Sequence, residues 1–287
     1  MDIRFLESLI AVVETGSIAS AARLQNLTAT AISQRIRTLE HEFNTALLSR
    51  SAHSAKPTQA CLNILPRMQK LVSESKALKS DIDTTGLSAN LHLGSIYTAL
   101  TDFIPTIVKE LKTVAPKSTF FTTPGSSADL YEQLVLQKLD GAIIVAPTFT
   151  PPKEIKISSL VKQHLVLLSK EPQKQTLKTI LKNQPLIVYD RNSWGGGSIY
   201  SWLNTININP QILCELDSLE TIAVLVEEGL GVAVVPEWEG LHQRHTSLSI
   251  KKIETKSPLR EIVFLSHQMS SAPKLLELVL HSLKATC

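Results

Sequence analysis

From Ala89 onward, short apolar runs alternate with stretches whose apolar residues recur every three or four positions. A half-buried strand and a crossover helix need these two periods, so the alternation restricts most of the chain to α/β architecture. It predicts strands near 90–94, 119–123, 141–145, 164–169, 185–189, 212–215, 231–235 and 261–265. Helices are expected between them at 100–111, 130–138, 177–181, 199–203, 219–228 and 274–283. The apolar runs are strand-sized, far short of the roughly 20 residues that a spanning helix needs, so no membrane partner is expected.

The first 60 residues follow a different rule. Phe5, Leu6, Leu9, Ile10 and Val13 lie at helical spacing, with Asp2 placed to cap the start and Gly16 to end the helix. Ser17 is placed to cap a second short helix, 18–24, whose Ala19, Ala21 and Ala22 allow close approach. After a tight turn, a third helix to about Phe43 puts Ile32, Ile36, Leu39 and Phe43 on one stripe. Its opposite face carries Thr30, Gln34, Arg37 and His41, with Ser33 at the edge.

Three short helices with a polar, cationic outer face fit a helix-turn-helix whose last helix enters the major groove, or a small helical subdomain that simply faces water. Charge favours the first reading. The net charge of the 287 residues is only +3, but between Arg23 and Lys56 five cations stand against two anions. The segment 47–58 suffices for a two-stranded wing carrying Arg50, His53 and Lys56. Beyond it, Cys61, Leu65, Met68, Leu71, Val72, Leu78 and Ile82 form a narrow seam suited to pairing with a partner helix, although Pro66 argues for a kink.

Enzyme motifs are missing. The Gly195-Gly-Gly-Ser198 run is not a GxSxG elbow, Gly229-Leu-Gly231 lacks a third glycine, and no Walker loop occurs. His242 and His245 have ligand-like spacing without a supporting cluster, and read as solvated loop histidines. No catalysis, cofactor or metal is expected. Three scattered cysteines, Cys61, Cys214 and Cys287, and a start interrupted by Asp2 and Glu7 point to a reducing, cytoplasmic location.

At this point the N-terminal segment resembles the LysR-type transcriptional regulators. The matching residues are Phe5-Leu6, Glu14-Thr-Gly-Ser-Ile18, Ala21-Ala22-Arg-Leu24, Ala31-Ile-Ser-Gln-Arg-Ile36, Leu39-Glu40, Leu47-Leu48-Ser-Arg50 and Pro57-Thr58-Gln-Ala60. Further on, Lys138-Leu-Asp-Gly-Ala-Ile143 and Val226-Glu-Glu-Gly-Leu-Gly-Val-Ala-Val-Val-Pro236 fit the family's effector domain in order. Asn44 stands where the family usually has a turn glycine, Leu48 replaces a phenylalanine, and Cys61 replaces another glycine.

The resemblance implies a winged helix-turn-helix at 1–58, a linker and dimerisation helix at 59–87, and a two-lobed α/β effector domain at 88–287 like that of periplasmic binding proteins. Lobe I is expected over about 88–160 and 266–287, and lobe II over about 161–265. Double-stranded DNA is the expected partner of a homodimer or homotetramer, and RNA polymerase a further one. Gln34, Thr30 and Ser33 are assigned to base edges, Arg37 to either base or phosphate, and Ser17, Arg50, His53 and Lys56 to phosphates.

Ligands of open sheets bind beyond the carboxyl ends of strands, which selects the loops at 95–98, 124–127, 190–198 and 217–218. Ser95, Tyr97, Thr98, Ser126, Arg191, Trp194, Ser198 and Asp217 are the candidate effector residues, with Arg191 as the cation for an organic anion. The acidic residues Asp190, Glu215 and Asp217 leave an amine or zwitterion open. A DNA-binding oligomer with a non-sensing C-terminal domain, or a cytoplasmic solute-binding protein, are the alternatives.

Overall fold

The computed structural model describes residues 1–287 apart from 51–54, 82–84, 207, 209, 254–256, 269 and 287. The chain divides into two compact units, one built on Met1–Gly86 and the other on Leu87–Gln268 with Ala272–Cys287. The linker helix therefore belongs with the N-terminal unit.

In that unit, Asp2 accepts from the Arg4 amide at 2.9 Å and caps α1 (Ile3–Thr15), which Gly16 ends with a left-handed φ of 66°. Ser17 caps α2 (Ile18–Leu24) and Thr28 caps α3 (Ala29–Glu42). Asn44 takes the left-handed turn at φ 48° that its short polar side chain tolerates. Strands β1 (Leu48–Arg50) and β2 (Ala55–Pro57) pair antiparallel as the two-stranded wing.

Helix α4 (Gln59–Asp81) runs as one element with Pro66 inside it. Its hold comes from packing, since Cys61, Met68 and Val72 enter the core shared by Leu6, Leu9, Ile32, Ile36 and Leu39. Much of the seam expected to face a partner helix is thus spent within the chain. Leu62, Leu71 and Leu78 stay exposed, as does Phe43, which the apolar stripe of α3 had included.

The second unit contains β3 (Asn90–Ser95), α5 (Tyr97–Asp102), α6 (Ile104–Val114), β4 (Thr119–Pro124), α7 (Ser127–Val135), β5 (Gly141–Val145), β6 (Ile155–Gln163) and β7 (Leu165–Ser169). It continues with α8 (Leu177–Asn183), β8 (Leu186–Tyr189), α9 (Trp194–Thr205), β9 (Ile212–Leu216), α10 (Leu219–Glu227), β10 (Val232–Pro236) and α11 (Glu239–Arg244). Strands β11 (Ser249–Lys252) and β12 (Arg260–His267) and helix α12 (Pro273–Thr286) complete it. Among the described residues, these strands form two five-stranded sheets, ordered β4-β3-β5-β12-β6 and β11-β7-β10-β8-β9.

Both sheets are mixed. In the first, β3 pairs parallel with β4 and β5, while β12 runs antiparallel to β5 and β6. In the second, β8 pairs parallel with β9 and β10, while β7 is antiparallel to β10 and β11. The expected lobe boundary needs correction, because β6 and β12 both belong to the first sheet. Ile262, Val263, Phe264 and Leu265 are buried in its core, which makes β12 an interior strand of lobe I. The chain leaves the first sheet after Gln163, builds the second from Leu165 to Lys252, and returns at Arg260.

Strands β6 and β11 had no counterpart in the sequence reading. Both lie at sheet edges, and Lys156, Ser158, Lys162, Lys251 and Lys252 dilute their apolar signal. The single helix expected at 100–111 is two, since Pro105 sits in the first turn of α6 and favours a new helix start there.

Candidate functional site

Helix α3 presents Thr30, Gln34, Arg37 and His41 to solvent, with Ser33 half-buried at the edge. Ile32, Ile36 and Leu39 anchor the opposite side, and Arg35 straps α3 to α1 through the Ser8 hydroxyl at 3.0 Å. The reading face is therefore carried on a fixed helix. Ser17 uses its hydroxyl oxygen to accept from the Ser20 amide, so its cap role is occupied whatever else it touches. Lys56 is exposed on β2, Arg50 ends β1, and His53 lies outside the described residues.

In the second unit a cleft of about 300 Å³ draws on all four expected loops. Five of the eight candidates line it: Tyr97, Thr98, Ser126, Trp194 and Asp217. Ser95, Arg191 and Ser198 do not. Ser95 is fully buried at the end of β3, where its hydroxyl donates to the Ile96 carbonyl at 3.3 Å. Ser198 lies one turn inside α9 on an exposed position.

Arg191 is committed elsewhere. Its Nε and terminal nitrogen donate to both Glu215 oxygens at 2.7–3.0 Å, and its guanidinium lies 4.8 Å from the Tyr200 ring centroid. These hydrogen bonds hold the Glu215 carboxyl down at about 2. A cation already bound to a carboxylate offers little to a second one.

The cation that lines the cleft is Arg260, which sequence reading missed. Strand-end logic singles out loops that follow strands, whereas Arg260 is the first residue of one. Because β12 is antiparallel to β5, its first residue comes to the end where β5 finishes. Arg260 is 5% exposed, donating from Nε to Gln163 Oε1 at 2.7 Å and from a terminal nitrogen to Thr98 Oγ1 at 3.2 Å. Burial lowers its pKa, opposed by Tyr189 and by the charge of Asp102. Asp190, Asn192 and Ser193 also line the cleft, and Ser193 caps α9 by accepting from the Gly196 amide at 3.0 Å.

His242 and His245 are not a pair of solvated loop residues. His242 ends on Glu237 at 2.9 Å, while His245 is buried with Nε2 3.0 Å from Glu220 and Nδ1 3.1 Å from Glu227. Burial opposes charging of the His245 ring, but the two carboxylates outweigh it and raise its pKa. Its stabilisation is therefore fully present below the ordinary value of 6.5 and is lost as pH rises through the raised one. The thermal midpoint of the full chain should fall across that interval, and His245→Gln should flatten the fall. An equal slope in the variant would show that His245 does not carry it.

Residues 84–287 match the LysR substrate binding domain, and residues 3–62 match the bacterial regulatory helix-turn-helix protein of the lysR family. The chain belongs to the LysR family. This LysR-family protein is a DNA-binding transcriptional regulator with a C-terminal effector-binding domain.

It is 28% identical over 238 residues to the HTH-type transcriptional regulator CzcR of Bacillus cereus, a match covering 83% of this chain and 81% of the relative. A full-length OxyR variant from Pseudomonas aeruginosa shares the fold at a TM-score of 0.75 with 21% identity, covering 99% of this chain and 95% of that one. ArgP from Mycobacterium tuberculosis superposes at 0.72 with 15% identity, over 100% and 97% of the two chains. No single helix among the described residues of this LysR-family chain is long and apolar enough to cross a membrane.

Proposed function

We propose that this regulator reads a two-fold symmetric operator with α3 in the major groove and responds to a small molecule whose anionic group binds Arg260. The observation that carries the second half is the buried Arg260 guanidinium, whose hydrogen-bond acceptors Gln163 and Thr98 are neutral. A charge out of water gains most from an opposite charge, and the cleft opens onto this one. An organic anion anchored at Arg260 replaces the one first assigned to Arg191.

On the DNA side, exposed Gln34 suits a bidentate contact to an adenine edge, with Thr30, Ser33 and Arg37 beside it. Ser17, Arg50, His53 and Lys56 are assigned to phosphates. Leu71 and Leu78, seven residues apart and exposed on α4, support pairing of linker helices in a homodimer or a dimer of dimers. Such an assembly works in the cytoplasm on promoter DNA, where RNA polymerase is its neighbour, and it has no catalytic role.

Footprinting of genomic fragments tests the reading, with protection of an interrupted dyad as the expected result. Gln34→Ala should lose about 1–3 kcal/mol of discrimination at particular base pairs. Lys56→Ala should weaken all sequences alike and reduce the salt slope by about one charge. Equal, sequence-independent losses in both variants would overturn the assignment of the groove face.

A further inference from the structure

The charges around the cleft are sorted by depth. At its buried floor stands the Arg260 guanidinium, 5% exposed, with Thr98 beside it. Three carboxylates, those of Asp129, Asp190 and Asp217, belong to residues lining the same cleft nearer solvent. Asp129 spends one oxygen on the Ser126 hydroxyl at 2.7 Å, and Asp190 spends one on the Asn192 amide at 2.9 Å. Asp217 is exposed, and among the described residues no hydrogen bond or ion pair engages its carboxylate. A molecule bearing only negative charge gains Arg260 but must sit among three like charges. One bearing only positive charge gains the rim carboxylates but brings no opposite charge to the buried guanidinium, on which Asp102 acts from outside the cleft lining.

Resting on the reading of this cleft as the effector site, we propose that the effector is a zwitterion of the amino-carboxylic acid class, its carboxylate on Arg260 and Thr98 and its ammonium toward Asp217. Helices α7, α9 and α10 start at the cleft, and their amide ends reinforce the site for the carboxylate. The rim carboxylates add selectivity as well as attraction, since discrimination between ligands is gained as much by repelling the wrong one as by holding the right one. Trp194 gives the remaining part of the molecule an apolar wall, itself backed by the rings of Tyr131 and Phe149 at 5.9 and 5.6 Å.

The test is calorimetric titration of the full-length protein with the twenty common L-amino acids, 4-aminobutyrate and 6-aminohexanoate, alongside benzoate, succinate and 2-oxoglutarate. Each amino-acid hit is repeated with the matching amine that lacks the carboxylate and the matching acid that lacks the nitrogen, for example 2-phenylethylamine and 3-phenylpropanoate against L-phenylalanine. The expected result is an amino acid that binds at least tenfold more tightly than either matched compound. Asp217→Asn, an exposed and isosteric change, should erase about tenfold of that preference over the acid while leaving the acid's own affinity unchanged or improved.

If plain carboxylates bind as tightly as amino acids and Arg260→Gln removes them, the zwitterion falls and the anion-binding cleft stands. If Asp217→Asn leaves the preference intact, the placement of the ammonium is wrong and the inference falls with it. If no compound binds, or every hit is indifferent to both substitutions, the cleft reading and the inference fail together.

Discussion

Arg260→Gln is expected to weaken effector binding by roughly 30-fold to several thousand-fold, the largest loss of any single change at the cleft. Truncating one partner of a buried, hydrogen-bonded charge pair costs about 2–5 kcal/mol, and much of that is the other charge left without its counterpart. The substitution keeps a polar group near Gln163 Oε1 and Thr98 Oγ1, so the apo protein loses less than the complex. The measurement is the effector concentration that half-alters the DNA footprint, with the thermal midpoint of the unliganded protein as control. A variant that responds at wild-type concentration would remove Arg260 from the binding site.

Gly196→Ala should lower the thermal midpoint instead of raising it, although alanine is normally worth about 1 kcal/mol over glycine inside a helix. A Cβ at Gly196 would collide with the Asp190 carbonyl oxygen and stand 2.7 Å from that of Tyr189. Both obstacles are backbone, in the segment that shapes one wall of the cleft, and cannot swing aside as a side chain would. Overpacking of this kind costs about 1–3 kcal/mol or more, which is roughly 2–12 °C for a unit of this size. Gly197→Ala, whose Cβ meets only the Arg191 carbonyl oxygen at 2.9 Å, should cost less. A gain in stability at Gly196 would mean that residues 189–191 do not fold back onto α9 as described.

What the sequence made legible follows from how local the causes are. The caps Asp2 and Ser17, the left-handed Gly16, and the stripe Ile32, Ile36 and Leu39 act within a few residues of themselves, and each stands where pattern placed it. The four cleft loops were also readable, because β-strands that end at one edge of a sheet leave their following loops together. Arg191 and Arg260 show where that logic stops. Nothing near Arg191 in sequence announces that Glu215, 24 residues on, takes its charge, and nothing near Arg260 announces that antiparallel pairing carries it to the cleft. Long-range pairing decided both.

The passage between the two sheets has its own mechanical meaning. Gln163 pairs with Arg260 where the chain leaves and re-enters one sheet, and Val166 pairs with Lys252 where it enters and leaves the other. The Ile253 amide also reaches the Leu165 carbonyl at 3.4 Å. At each sheet the departing and arriving chains are therefore held to one another by backbone pairing. Arg260 also bonds the Gln163 side chain at 2.7 Å while lining the cleft, so a group that pulls on the guanidinium pulls on the very pair of residues where the chain crosses out of the first sheet and back into it.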